Sequence, residues 1–145
     1  MRKVFPFLAL LIFVAVAGCD SDSINSSNNT DEAQEKSTTE RHGPFIPKAG
    51  SDKVATGSAT LLKLSNGMLR VDFSDAFSLT PGPSLFVFLS NAEFPSSDAV
   101  NLGAFLNPTG AQMYNVPAGL SLDSFTHVVV YCIPYDVTFA FAELK

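Results

Sequence analysis

Apolar and polar positions divide this chain into three stretches that follow different rules. Val4 to Gly18 is an almost unbroken apolar run behind Arg2 and Lys3. Asp20 to Pro44 is built from Ser, Asn, Thr, Asp, Glu, Gln and Lys, with Ile24 and Ala33 as its interior apolar residues. From Phe45 to Lys145, short apolar or alternating runs are punctuated by Gly, Pro, Asn and Asp, and no amphipathic helical pattern of useful length occurs. The last stretch therefore predicts an all-β domain. Val54 to Leu64 and Met68 to Phe73 read as two strands joined at Ser65-Asn66-Gly67, where Asn-Gly supplies the positive φ angles of a tight hairpin. Leu69, Val71 and Phe73 alternate with Arg70 and Asp72, so one face meets the core and the other meets water. Pro81-Gly82-Pro83 precedes the continuously apolar Leu85 to Leu89, which suggests a central strand. Asn101 to Leu106 and Ala111 to Val116 follow, broken by Asn107 to Gly110. His127 to Ile133 and Val137 to Leu144, separated at Pro134, form the expected heart of the sheet. This number of strands in about 100 residues implies a single antiparallel β-sandwich or small barrel-like domain. A sandwich is preferred, because no regular repeat suggests barrel symmetry.

The two preceding stretches give the expected organisation. Val16-Ala17-Gly18-Cys19 closes the apolar run, as in a bacterial lipoprotein signal peptide: small residues at Ala17 and Gly18 fit a peptidase cleft, and the Cys19 thiol takes the lipid. The run is too short and is interrupted by Pro6, against the roughly 20 apolar residues that cross a bilayer. Residues 1–18 are thus expected to be a signal segment cleaved between Gly18 and Cys19. Residues 19–44 are then a lipidated, disordered linker, too poor in apolar surface to offset the entropy of ordering, and residues 45–145 the β domain. Attachment to membrane lipid through acylated Cys19 would place the protein in a bacterial cell envelope, on the extracytoplasmic side. Asp20 leans towards the inner membrane, with the outer left open. His42 falls in the linker.

Charge and composition narrow the chemistry. Loss of Arg2 and Lys3 takes the formal charge from −5 to −7, so no basic face for nucleic acid can be assembled. Two His and no Trp accompany thirteen Phe, leaving few side chains for acid-base work near neutrality. No zinc-spaced Cys pair, phosphate-cradling loop or nucleophile elbow is present, and no metal site is predicted. An enzyme of the hydrolytic or nucleotide-dependent kinds is not expected. With Cys19 lipidated, Cys132 is the remaining thiol, in Val129-Val130-Tyr131-Cys132-Ile133-Pro134. It is either a small hydrophobe filling the core or a redox group, a thiol or the ligand of a soft metal or haem iron. It shares a strand face with Val128 and Val130, while His127 and Tyr131 point the other way. Met113 is a candidate second soft ligand.

Gly57, Leu69-Arg70-Val71-Asp72-Phe73, Gly82-Pro83-Ser84-Leu85-Phe86-Val87-Phe88-Leu89-Ser90, Gly110-Ala111-Gln112-Met113-Tyr114-Asn115-Val116-Pro117 and Val128-Val129-Val130-Tyr131-Cys132 together resemble the electron-transfer DM-thirteen domain family, from about Gly43 to Leu144. The resemblance implies an extracytoplasmic β domain whose characteristic Cys, matched by Cys132, acts in redox as a free thiol or by binding a group such as haem, with a redox partner protein. The family commonly has Asp where Ser84 stands and Gly near Ala140. Two expectations follow: a membrane-anchored redox module using Cys132, or a non-catalytic envelope module that presents a β surface to a partner, with Cys132 structural.

Overall fold

The computed structural model describes residues 37–145; the expected signal segment, the Gly18–Cys19 junction and the linker up to residue 36 lie outside the described residues. Ten strands make up the fold: β1 Ser37–Pro47, β2 Ala55–Thr56, β3 Ser58–Leu64, β4 Leu69–Phe73, β5 Ser78–Leu79, β6 Leu85–Ser90, β7 Val100–Ala104, β8 Gln112–Asn115, β9 His127–Cys132 and β10 Val137–Glu143. Eight of them form one antiparallel sheet in the order β7-β6-β9-β10-β1-β3-β4-β8, and β2 pairs with β5 in a small ribbon. The sheet curls until its two edges approach, where the Tyr114 hydroxyl on β8 accepts from the Leu106 N–H just beyond β7 at 3.2 Å. The domain is therefore all-β and barrel-like, and the preference for a sandwich gives way to a nearly closed sheet.

Closure follows from what fills the inside. Small residues (Ala59, Ala140, Ala142) share the inner face with large ones (Leu61, Phe73, Leu89), a mixture that suits the interior of a curled sheet. Phe45, Phe73 and Phe77 meet with ring centroids 4.7 to 4.9 Å apart. Tyr114 and Phe105 extend the cluster at 5.3 and 5.9 Å. Such pairs add about 0.5–1.5 kcal/mol each beyond the area they bury.

The alternation read from the sequence is observed. Leu69, Val71 and Phe73 are buried on β4, while Arg70 and Asp72 face outward and form a bidentate ion pair at 2.7 and 2.8 Å. The hairpin after β3 lies where expected, with one difference: Gly67 alone in that turn takes a positive φ, +86°. Asn66 contributes through its side chain, whose oxygen accepts from the Met68 N–H at 2.9 Å. Leu85 to Leu89 lies between β7 and β9, but its Phe86 and Phe88 are only half-buried on the outer face.

The largest departure is β1. The segment read as linker up to Pro44 becomes ordered strand from Ser37, paired with β3 as far as Pro44 and with β10 from Phe45 to Pro47. Hydrophobic content missed it because this strand is held mainly by polar contacts. Its backbone bonds on both sides, and the Arg41 guanidinium donates to the carbonyls of Phe125 and Leu144, both at 2.8 Å. His42 lies on this strand with an exposed side chain, and its backbone exchanges hydrogen bonds with Lys145 at 3.2 and 3.1 Å. Gly43 lets β1 approach β10: a Cβ there would sit 1.9 Å from the Glu143 carbonyl oxygen.

Gly43→Ala should therefore lower stability by about 2–3 kcal/mol, seen as a fall in urea midpoint at unchanged m-value. A chain starting at Phe45 should lose the cooperative unfolding transition that a chain starting at Ser37 retains, as circular dichroism would report.

Candidate functional site

Cys132 ends β9 on its inner face, beside Val128 and Val130, while His127 and Tyr131 face outward as the two-residue period requires. Its register partners are Leu85 on β6 and Val137 on β10. The residue has 0% exposure, and its Sγ donates a hydrogen bond to the Pro83 carbonyl oxygen at 3.0 Å. Pro83 belongs to the segment before β6, where Gly82 lies against Phe139; a Cβ on Gly82 would be 2.4 Å from that ring. Ser84 completes the turn at φ +49°, in the left-handed region that costs a non-glycine residue energy. A tight, glycine-dependent segment thus covers the thiol.

The other candidates lie elsewhere. Met113 sits on the outer face of β8, opposite Asp72, and is 60% exposed; it faces away from the interior that holds Cys132. The His127 Nδ1 lies 2.8 Å from the Thr126 hydroxyl, and its ring tilts against Phe141. The structure does not bring Cys132, Met113 and His127 together.

Fit to haem or a metal ion is decided at the donor itself. A prosthetic group bound to the sulfur needs space beside it, and a residue with no accessible surface adjoins no void that holds even a water molecule. Among the described residues no three His, Cys, Asp or Glu side chains converge. The residues around Cys132 do not fit haem or a metal in this conformation, and the sulfur is a free, buried thiol.

A second arrangement lies just across the strand. Tyr131, half-buried on the outer face, donates its phenolic hydrogen to an Asp136 carboxylate oxygen. Asp136 is fixed by the short 3-10 turn Ile133–Tyr135, after which it adopts a left-handed conformation, φ 55° and ψ 45°, with its N–H bonded to the Ile133 carbonyl. Asp tolerates that conformation better than most residues. Both side chains line a cleft of about 340 Å³ with Lys48, Phe94, Val137 and Thr138. The Lys48 ammonium pairs with Glu93 at 2.7 Å, and the Thr138 hydroxyl donates to the Glu93 carbonyl at 2.9 Å. The Phe88 ring stands edge-on to Tyr131 at 6.1 Å. The hydrogen bond to Asp136, with smaller contributions from burial and from the carboxylate charge, pushes the Tyr131 phenol from 10.0 up to about 12. Inside the barrel Tyr114 is raised too, by burial; its hydroxyl donates to the Gln112 amide oxygen at 2.6 Å. The sequence reading passed over the Tyr131–Asp136 pair, although the Pro-Tyr-Asp turn signal after Cys132 marks where the chain folds back.

Comparison with known families decides the affiliation. Residues 48–144 match the model of the family described as Electron transfer DM13, two thirds of the chain. The chain belongs to that family. No curated protein and no solved structure matches it. Ser84 occupies a left-handed position, and Ala140 is fully buried opposite Val130. The DM13 match begins at Lys48, so β1 precedes the matched residues altogether.

The raised phenol gives a pH signature. Because Tyr131 ionises less readily when folded, its stabilising contribution is complete below pH 10 and lost as pH rises towards 12. In ultraviolet titration, Tyr131→Phe should remove an ionisation near pH 12, and Asp136→Asn should return it towards the ordinary value.

Proposed function

We propose that this protein is a lipid-anchored electron-transfer module of the bacterial cell envelope, in which Cys132 is a covered redox thiol that a partner protein reaches by displacing the Pro81–Ser84 segment. Membership of an electron-transfer family supports the redox part. The observation that carries the thiol is its hydrogen bond to the Pro83 carbonyl: the cover is held by the reactive group itself, so a change at sulfur that removes the S–H donor loosens the segment above it. A free thiol here would react by thiolate attack or by oxidation, and in both cases exposure sets the rate.

The extracytoplasmic setting rests on the Val4–Gly18 run and Cys19 in the sequence. Residues 1–18 are the signal, Gly18–Cys19 the cleavage point, and Cys19 the lipid attachment, with Asp20 favouring the inner membrane. β1 runs from the Leu64 end of the barrel towards the end where β10 begins beside Cys132. Ser37, where β1 begins, is therefore at the end of the barrel opposite Cys132.

A second reading is favoured by the zero exposure of Cys132: the residue is packing, and the domain is a non-catalytic envelope module that binds a partner through its outer surface. Thiol labelling separates the two. If the cover opens, a soluble aromatic disulfide should modify native Cys132 at a rate that increases severalfold in Pro83→Gly. Electron exchange with envelope reductants should then vanish in Cys132→Ala, at a folding cost of about 1 kcal/mol. A native thiol that reacts only on global unfolding, with exchange unchanged in Cys132→Ala, would leave the second reading.

A further inference from the structure

The chain has three tyrosines, and their surroundings differ in the one respect that governs phenol oxidation, the base that takes the proton. Tyr114 is interior and donates to a neutral amide, that of Gln112. Tyr135 is 68% exposed. Tyr131 donates to a carboxylate, that of Asp136, and lines an open cleft against Phe94 and Val137. Removing an electron from a phenol makes its proton a strong acid, so oxidation is easiest where a base already holds that proton and need not be found in the transition state. The 3-10 turn and the left-handed backbone of Asp136 fix the base in advance, which is the preorganisation that such a step requires.

We propose that Tyr131 is a proton-coupled electron relay: its phenol gives one electron to a one-electron oxidant in the cleft, an oxygen-centred radical, while its proton passes along the existing hydrogen bond to Asp136. The phenolic O–H bond breaks and a carboxylic O–H bond forms. The oxidant gains one electron, and a neutral phenoxyl radical remains beside the edge-on ring of Phe88. A one-electron donor such as ascorbate reverses the step, and the proton returns from Asp136. At pH 7 the phenol is protonated, so electron loss and proton loss are coupled. The proposal takes its purpose from the electron-transfer reading but does not depend on Cys132.

The test uses the full chain in detergent with photogenerated tris(bipyridine)ruthenium(III) as oxidant, following tyrosyl-radical absorbance and electron spin resonance. Wild type should form the radical, Tyr131→Phe should lose most of it, and Tyr135→Phe should retain it. Asp136→Asn, which suits the same left-handed position, should slow its formation by about tenfold. That is less than the ~10²-fold of an enclosed base, because water can substitute at a half-exposed phenol. Circular dichroism confirms that each variant is folded. A radical that survives in Tyr131→Phe, or a rate unchanged in Asp136→Asn, overturns the relay. The radical assay reads Tyr131 and thiol labelling reads Cys132, so a failure of the thiol reading leaves this result standing and the two are told apart.

Discussion

The approach of β1 to β10 is the constraint on which the rest of the domain depends. Gly43 brings the two backbones so close that a single methyl group would overlap the Glu143 carbonyl oxygen. Arg41, two residues earlier, satisfies the carbonyls of Phe125 and Leu144, which would otherwise be left without donors near the end of the barrel. Without β1, the sheet would divide into β7-β6-β9-β10 and β3-β4-β8, two sheets with new unpaired edges. A sandwich is the natural packing of two such sheets. One polar strand, inserted between them and pinned at its far end by Phe45 in the aromatic cluster, makes a curled single sheet instead.

This explains which parts of the architecture were legible in the residues. Strands whose burial is hydrophobic announce themselves: β4 alternates as written, β9 buries Val128, Val129 and Val130 as its continuous apolar run implies, and the β3–β4 hairpin sits at its Asn-Gly pair. β1 has few apolar side chains, because its stability comes from backbone pairing on two sides and from a guanidinium on carbonyls, and neither leaves a hydrophobic pattern. Composition assigned it to the linker for a sound reason that long-range pairing overrides. The same blindness explains the preference for a sandwich, since the strand that joins the two halves was not counted. The turn at Asn66 shows a smaller version: the residue type was right for a turn, but its side-chain oxygen, rather than a positive φ, does the work.

At the candidate site, the inward face of Cys132 was readable in the residues, but its cover was not. The β-period places Cys132 inward and Tyr131 outward with no further information. That Pro83 lies over the sulfur depends on Gly82 fitting against Phe139, and Phe139 reaches inward because the β9–β10 register shifts between Thr138 and Ala140. A bulge of that kind adds one residue to one strand and turns a side chain that simple alternation would send elsewhere. Met113 failed as a partner for the opposite reason: its alternation with Gln112 and Tyr114 was readable, and those two residues fill the interior positions of β8.

The end of β9 therefore presents two oxidisable side chains on opposite sides of one sheet, separated by a peptide bond and by the layer of the barrel wall. Their surroundings suit different chemistry. The inner one meets a carbonyl, which accepts a hydrogen bond but is too weak a base to keep a proton. The outer one meets a carboxylate, which can keep it. On the proposed reading, a thiol in the first setting reacts when the wall opens, and a phenol in the second reacts with the wall closed. The turn Ile133–Tyr135 serves both, ending the strand after Cys132 and setting Asp136 against Tyr131. A change in that turn would thus disturb the outer pair directly while leaving the Cys132–Pro83 contact, made on the β6 side, in place.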